Sequence, residues 1–415
     1  MTWRSSFGPL RDRRFRWYFA SRAVDLIGDV MGGIALVFAV LAVSDSPSAL
    51  GIVLAAHSIP MVVLLLIGGV LADRFGRTLV IQVSNLTAGA TQLAMAALII
   101  TGAAEIWQLA ALTALNGVAA AANQPALAGL LPQLAPRDQL QSANALNALL
   151  RNLSLVIAPT LGGLLVVTVG AGWAVAVNGV TYFVAAALLA PIKLPPRTTS
   201  GNGVVADLRE GWTYVRSTTW LWVVVVAFGV LNAVYSGGFR TLGPALADGS
   251  ELGEKGWGLI LSAGAAGLVV TSLVLLRVPL RRPLLVGVLG CTLYGAPMVA
   301  LGLTTELWVV ALAAFVGGAG IEVFGVAWEL TMQEQVPDGM LSRVYSYDML
   351  GSFVAIPVGQ LAFGPLGAAH GLQPVILVAG AAYTLIALAM LLSRSVRTLP
   401  RHPDADVTEP AGLPV

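Results

Sequence analysis

Within one long apolar run, Arg22, Asp25 and Asp29 stand at helical spacing. Residues three and four apart share a helix face, so Arg22 can pair with Asp25, and the two acids lie one turn apart on one side. A carboxylate shut away from water can load and release a proton. An arginine partner makes Asp25 structural, which leaves Asp29 as the candidate for reversible protonation. Glu322 and Glu329, two turns apart in a second apolar run, form a second acidic face with Glu334 beyond it. Glu322 is a candidate for proton or substrate work, whereas Glu329 and Glu334 read as interfacial and solvated. Asp348 stands at the opening of a further run, where a helix-dipole role is the simpler account. Ionisable groups at bilayer depth are costly and therefore functional candidates by default.

The complementary charges are Arg151 and Arg240. Arg151 shares a face with Asn144 and Asn147, and this stripe must meet a partner helix or a cavity; the arginine could be the counter-charge to Asp25 or Asp29. Arg240 lies near the outer end of its run. It can touch anionic substrate groups, serve an outer gate, or simply snorkel to the interface. Asn116 and Asn123 are the polar residues of a run that carries no arginine, and His57 can titrate or simply be hydrogen-bonded. The sequence contains no nucleotide-binding loop, metal-ligand cluster or nucleophile–base arrangement, so cofactor and metal are both expected to be none. An ion gradient then remains as the energy source.

Elements long enough to hold these groups follow from composition. Of 415 residues, 57% are hydrophobic and only 11% charged, against roughly 25% charge in a soluble domain. The fold class is therefore all-α integral membrane, with about 20 apolar residues per crossing. Twelve spans are expected, at 17–43, 49–72, 78–101, 106–131, 142–169, 172–192, 219–247, 256–277, 283–303, 306–335, 344–368 and 373–393. Helical rise puts Asp25 roughly 12 Å and Asp29 roughly 18 Å above the inner end of the first.

With the N-terminus inside, 19 of the 23 basic residues fall in inside segments, and only Lys255 lies in an outside loop. That asymmetry places both termini in the cytoplasm. The expected organisation is a basic N-terminus (1–16), a six-helix bundle (17–192), a linker (193–218), a second six-helix bundle (219–393) and a disordered tail (394–415). Lone Cys291 excludes an intrachain disulfide. In the linker, Val205, Leu208 and Trp212 alternate with Asp207, Arg209 and Glu210, which reads as an amphipathic helix on the inner leaflet or as a mere tether.

Between the second and third spans lies the turn Gly68-Gly69-Val70-Leu71-Ala72-Asp73-Arg74-Phe75-Gly76-Arg77-Thr78. So short a connection makes its two helices antiparallel neighbours, and Gly76 can take positive φ just past a helix end. The halves look like copies: Leu131 to Asp138 and Gln333 to Asp338 each lead into a helix with a Pro/Gly patch, around Pro159, Gly162 and Gly163 and around Pro357 and Gly359. The second copy of the charged turn has lost its acid and its glycine and keeps Arg277, Arg281 and Arg282. Two such halves with a polar link are the plan of a rocking transporter with its site at the half–half interface. The prolines and glycines would allow bending and close helix contact.

Gly69-x-Leu71-Ala72-Asp73-Arg74-x-Gly76-Arg77 resembles the loop 2–3 signature of the major facilitator superfamily. Four pieces resemble its bacterial branch of drug:proton antiporters that contains enterobactin exporters and macrolide efflux proteins. They are Gly68 to Arg74, Pro159 to Gly163, Phe239-Arg240-x-x-x-Pro244-Ala245-Leu246-Ala247-Asp248, and Pro337-x-x-Met340-Leu341-x-Arg343. The resemblance implies that Asp73, with Arg74, Gly76 and Arg77, holds the cytoplasmic side closed against the start of helix eleven; alternatively Asp73 only balances its own turn. It also implies a multi-pass transporter of the bacterial inner (plasma) membrane that exports an amphipathic small molecule in exchange for protons. An uptake symporter and a non-transporting receptor or scaffold are the other readings. The expected partners are a small-molecule substrate, protons and the lipid bilayer, with no nucleic acid, in a chain working as a monomer.

Overall fold

The computed structural model describes residues 7–43, 47–194 and 203–401. Their regular structure is helical. The first group comprises α1 (Arg13–Val43), α2 (Pro47–Phe75), α3 (Arg77–Ile100), α4 (Ile106–Leu130), α5 (Leu140–Val169) and α6 (Ala171–Leu189). A separate helix, α7 (Val204–Ser217), precedes the second group: α8 (Thr219–Tyr235), α9 (Leu242–Asp248), α10 (Gly253–Leu275), α11 (Pro283–Thr292), α12 (Ala296–Leu303), α13 (Leu307–Gln335), α14 (Leu341–Phe353), α15 (Ile356–His370), α16 (Leu372–Ala389) and α17 (Arg394–Thr398). Eleven helical stretches among the described residues are long and apolar enough to cross a membrane. The 25-residue α4 is outside that set because Asn116, Asn123 and Gln124 dilute its apolar surface.

Polarity is turned inside out relative to a soluble protein. Val63, Val167, Leu312 and Leu361 are exposed on outer faces, while Asn85, Asn116, Asn144, Asn152, Asn178 and Gln141 are buried. A lipid solvent selects this pattern, because only the interior offers partners to polar groups. Helices approach closely where side chains vanish. A Cβ on Gly68 would collide with the backbone of Ala121 on α4, and one on Gly69 with Ser342 and Ser346 on α14. The adjacent glycines thus seat α2 against its own group and against the other group at once. Gly76 has φ +90°, which reverses the chain between α2 and α3 where a side chain would be strained.

Several expected spans are interrupted. The seventh runs as α8, a π-helical turn over Ser236–Thr241, and α9. The ninth breaks at Leu293–Gly295. The eleventh starts at Leu341 and parts between Phe353 and Ile356, just ahead of Pro357, whose missing N–H cannot continue the ladder. By contrast, α5 continues as helix through Pro159. There Gly162 packs against Met31 of α1, and Gly163 faces open space.

One expectation needs correction. Residues 394–401 are ordered, forming α17 and ending in a 3.1 Å ion pair between Arg401 and Glu334; the rest of the expected tail, 402–415, lies outside the described residues, as do positions 1–6 of the basic N-terminus. In α7, the expected linker helix, Asp207 is fully buried against the helical body, while Arg209 and Glu210 are exposed alongside Val205 and Trp212. Two arginines waiting at that position explain the burial.

Candidate functional site

The two groups meet most closely at the end that carries the basic loops. Asp73 at the end of α2 accepts the backbone N–H of Arg343 at 3.2 Å and lies 3.4 Å from its Nε. Asp73 also pairs with Arg77 at 3.1 Å. Arg77 in turn donates to the Asp338 carbonyl at 2.7 Å, to Ser342 Oγ at 2.9 Å and to the Gly129 carbonyl. An acid at the first turn of α14 is favoured by the helix dipole as well as by these hydrogen bonds. Arg74 reaches Asp207 of α7 at 2.6 Å, and Arg343 reaches the same carboxylate at 3.3 Å and Glu210 at 2.9 Å. Tyr347 donates to the Leu208 carbonyl and Tyr214 to the Gln335 carbonyl, fastening α7 along its length. Burial pushes the Tyr214 phenol above its ordinary range.

A second clasp stands on the opposite flank of the same end. The amide nitrogen of Gln141, at the start of α5, donates to the Leu275 and Val278 carbonyls, and its oxygen accepts the N–H of Leu280. The decayed turn between α10 and α11 is therefore held to α5 as the Asp73 turn is held to α14, but here the turn offers backbone groups and the side chain, a neutral amide, comes from the helix. Asn144 and Gln333 exchange a further pair of hydrogen bonds between the groups.

Above these clasps lies a central cavity between the groups, in two communicating parts of about 470 Å³ and about 440 Å³ that share Arg151, Leu155, Gly325 and Met349. The first part is aromatic on its α8–α13 side. Phe228 stacks on Phe324 at a 4.1 Å centroid distance, Tyr235 on Tyr294 at 4.1 Å, and Trp328 lies beyond Phe324. Arg240, placed by the π-helical turn, projects into this part with its guanidinium 6.0 Å from the Tyr235 ring. The second part is polar, lined by Tyr18, Arg22, Asp29, Asn147, Glu329 and Gln333 among others.

The charges sort differently from the expectation in several places. Arg22 and Asp25 form the expected pair, at 2.6 Å. Asp29 is exposed to the cavity and accepts a 2.8 Å hydrogen bond from Tyr182 of α6. Arg151 is not the counter-charge of either acid. It crosses to the other group and lies 3.7 Å from Glu322, a buried carboxylate that also accepts from Ser272 at 2.6 Å. Asn152 completes the cluster by donating to Ser272 at 3.1 Å. Glu329 is not interfacial: it lines the cavity and takes a 2.5 Å hydrogen bond from Tyr345. Glu334 is buried rather than solvated, and Asp348 stands mid-helix in α14, accepting from Trp328 Nε1 at 3.1 Å, rather than at a helix start. Asn116, Asn123 and His57 line a smaller chamber inside the first group, beside Asp25 and Asp29.

A family model of transmembrane secretion effectors matches residues 4–410. The chain belongs to that family, a branch of the major facilitator superfamily. The multidrug efflux pump Tap of Mycobacterium tuberculosis is 26% identical over 406 residues, covering 93% of this chain and 94% of that protein. The enterobactin exporter EntS of Escherichia coli is 27% identical over 393 residues, covering 91% and 90%. Among solved structures, a bacterial homologue of the iron transporter ferroportin in its outward-facing state has a TM-score of 0.72 at 17% identity, covering 92% of this chain and all of that one. The proton:xylose symporter XylE has a TM-score of 0.63 at 14% identity, covering 90% and 95%. These two likenesses concern the fold alone. The chain is a multi-pass membrane transporter with efflux-pump relatives, and not an enzyme.

Proposed function

We propose that this transporter exports an amphipathic small molecule, of drug, antibiotic or siderophore-like character, across the bacterial plasma membrane in exchange for protons. It works by alternating access, as a monomer of twelve spans with both termini cytoplasmic; α4 is the twelfth. The relatives' efflux activities support the direction, and the basic loops support the orientation. Asp73, Arg77 and Arg343 form the cytoplasmic gate, with Gly76 shaping its turn, and the clasped conformation is outward-facing. The observation that carries the reading is the placement of Asp29: a carboxylate exposed in a cavity between two groups of helices that, among the described residues, are clasped by side-chain hydrogen bonds and ion pairs at the basic end. Protonation of Asp29 from outside, and its release inside, would bias which end is clasped. Aromatic faces with the Arg151–Glu322 and Arg240 charges set among them suit a substrate with an apolar body and polar ends. Pro159, Gly162 and Pro357 are the positions about which helices bend, with Gly163 leaving room.

Inverted membrane vesicles test this directly. With an inside-acid gradient reported by a quenched dye, cationic lipophilic compounds and catecholates are added in turn. Substrate-dependent collapse of the gradient, lost in Asp29→Asn, is the expected result. A full gradient response in Asp29→Asn would remove the carboxylate from coupling. A response seen only when the gradient and the substrate enter together would reverse the direction to uptake.

A further inference from the structure

The chamber inside the first helix group adjoins the substrate cavity, and Arg22, Leu26, Asp29 and Gln124 line both. It measures about 110 Å³, room for an ion and a few waters. Its wall is rich in oxygen. Asp25 and Asp29 come from α1, Ser84 and Asn85 from α3, and Asn116 and Asn123 from α4. Among the described residues, two of these oxygens lack partners: Asn85 Oδ1, on a side chain only 2% exposed, and Asn123 Oδ1. A buried amide oxygen without a hydrogen bond is costly. It can accept but not donate, so what satisfies it must be a donor or a cation. Two such acceptors beside two carboxylates favour the cation.

The charge count sets its valence. Arg22 neutralises Asp25 at 2.6 Å, and Asp29 has only the neutral phenol of Tyr182. Arg22, Asp25 and Asp29, the charged groups facing the chamber beside His57, sum to one negative charge, which a monovalent ion cancels and a divalent ion overshoots. The donors are hard oxygens of the kind that suit alkali and alkaline-earth cations rather than soft metals. We infer that this chamber is a binding site for a monovalent inorganic cation, held by Asp29, Asn85 and Asn123 and entered from the central cavity past Asp29. The inference deepens the coupling role proposed for Asp29: cation and proton would compete for the same carboxylate.

Binding of radioactive sodium to the purified full-length protein in detergent tests the site. Saturable binding of one ion per chain is expected at mildly alkaline pH, weakening as pH falls. Asn85→Ala and Asn123→Ala should each weaken it by about tenfold or more, the effect of losing one ligand to a charged group. Asn85 is deeply buried; the more accessible Asn123 keeps the test valid if the first variant does not fold. No saturable binding by folded protein would mean that the chamber holds water only. Unchanged binding in both variants would place the ion elsewhere, and displacement by calcium at lower concentration than by unlabelled sodium would overturn the charge count. The vesicle assay, repeated in sodium-free choline medium, separates the two readings. Gradient collapse without sodium binding leaves export standing and removes this site; sodium binding without gradient collapse does the reverse.

Discussion

Replacing Asp207 with alanine should open the cytoplasmic gate, although Asp207 belongs to the linker helix rather than to either group. Its carboxylate is fully buried, 2.6 Å from Arg74 and 3.3 Å from Arg343. Removing one member of an isolated buried ion pair costs about 3–5 kcal/mol. The loss here is smaller, because Arg343 keeps Asp73 and Glu210 and water can reach the Arg74 side chain, which is 24% exposed. About 2 kcal/mol is a reasonable figure for a charged hydrogen-bonding partner in such a network. If the carboxylate is solvated when the gate is open, the whole loss falls on the closed state. That shifts the closed-to-open equilibrium about 30-fold toward open. The readout is a cysteine introduced at Ala148, a buried position lining the cavity. In inverted vesicles, a membrane-impermeant maleimide reaches it only when the cytoplasmic end parts, and Cys291 is buried and gives little background. Labelling should accelerate by one to two orders of magnitude in Asp207→Ala. An unchanged rate, alongside acceleration in Asp73→Ala, would show that α7 is fastened to the gate without helping to hold it.

Four other perturbations bear on different contacts. Gly69→Ala should push α14 off α2 and raise the same labelling rate, since its Cβ meets Ser342 and Ser346, whereas Gly68→Val acts within the first group and should lower thermal stability by about 1–3 kcal/mol of overpacking. Glu322→Gln keeps an acceptor for Ser272 but loses Arg151. With Arg151 half exposed, the change should stay within about 1 kcal/mol and appear as a KM shift of up to about fivefold in substrate-dependent transport. Tyr182→Phe removes the donor to Asp29 and should move the pH dependence of transport while leaving protein yield intact. A profile identical to wild type would mean that the hydrogen bond does not bear on the proton step.

The helical architecture was legible in the sequence because lipid demands long apolar runs and tolerates few alternatives. The turn at Asp73 was legible too, since its charge pattern sits between two such runs. What escaped were contacts that depend on rotation about a helix axis. Asp207 and Val205 are two residues apart, and alternation alone could not say which would face the body; only the positions of Arg74 and Arg343, distant in sequence, decide it. The misplacement of Glu329 and Asp348 has a similar origin. Span boundaries drawn from hydropathy put them near helix ends, whereas α13 and α14 carry them alongside the cavity. The Arg151–Glu322 contact lies between the two groups, where one-dimensional spacing carries no information. A hint did exist for Tyr182 and Tyr345: tyrosines in apolar runs need an acceptor, and acids in such runs need a donor.

The polar character of α4 bears on how the molecule is made. A helix carrying Asn116, Asn123 and Gln124 partitions into lipid on its own less readily than its neighbours do. It packs on α2 through Gly68 and Gly117, whose missing side chains let the backbones of Ala121 and His57 come close. Since α2 and α3 leave the ribosome first, they can wait at the insertion machinery and receive α4 as a ready-made bundle surface. Biogenesis would then be cooperative at this step. Lesions in the Gly68–Ala121 contact would be read out as a topological error or early degradation, before any question of transport arises.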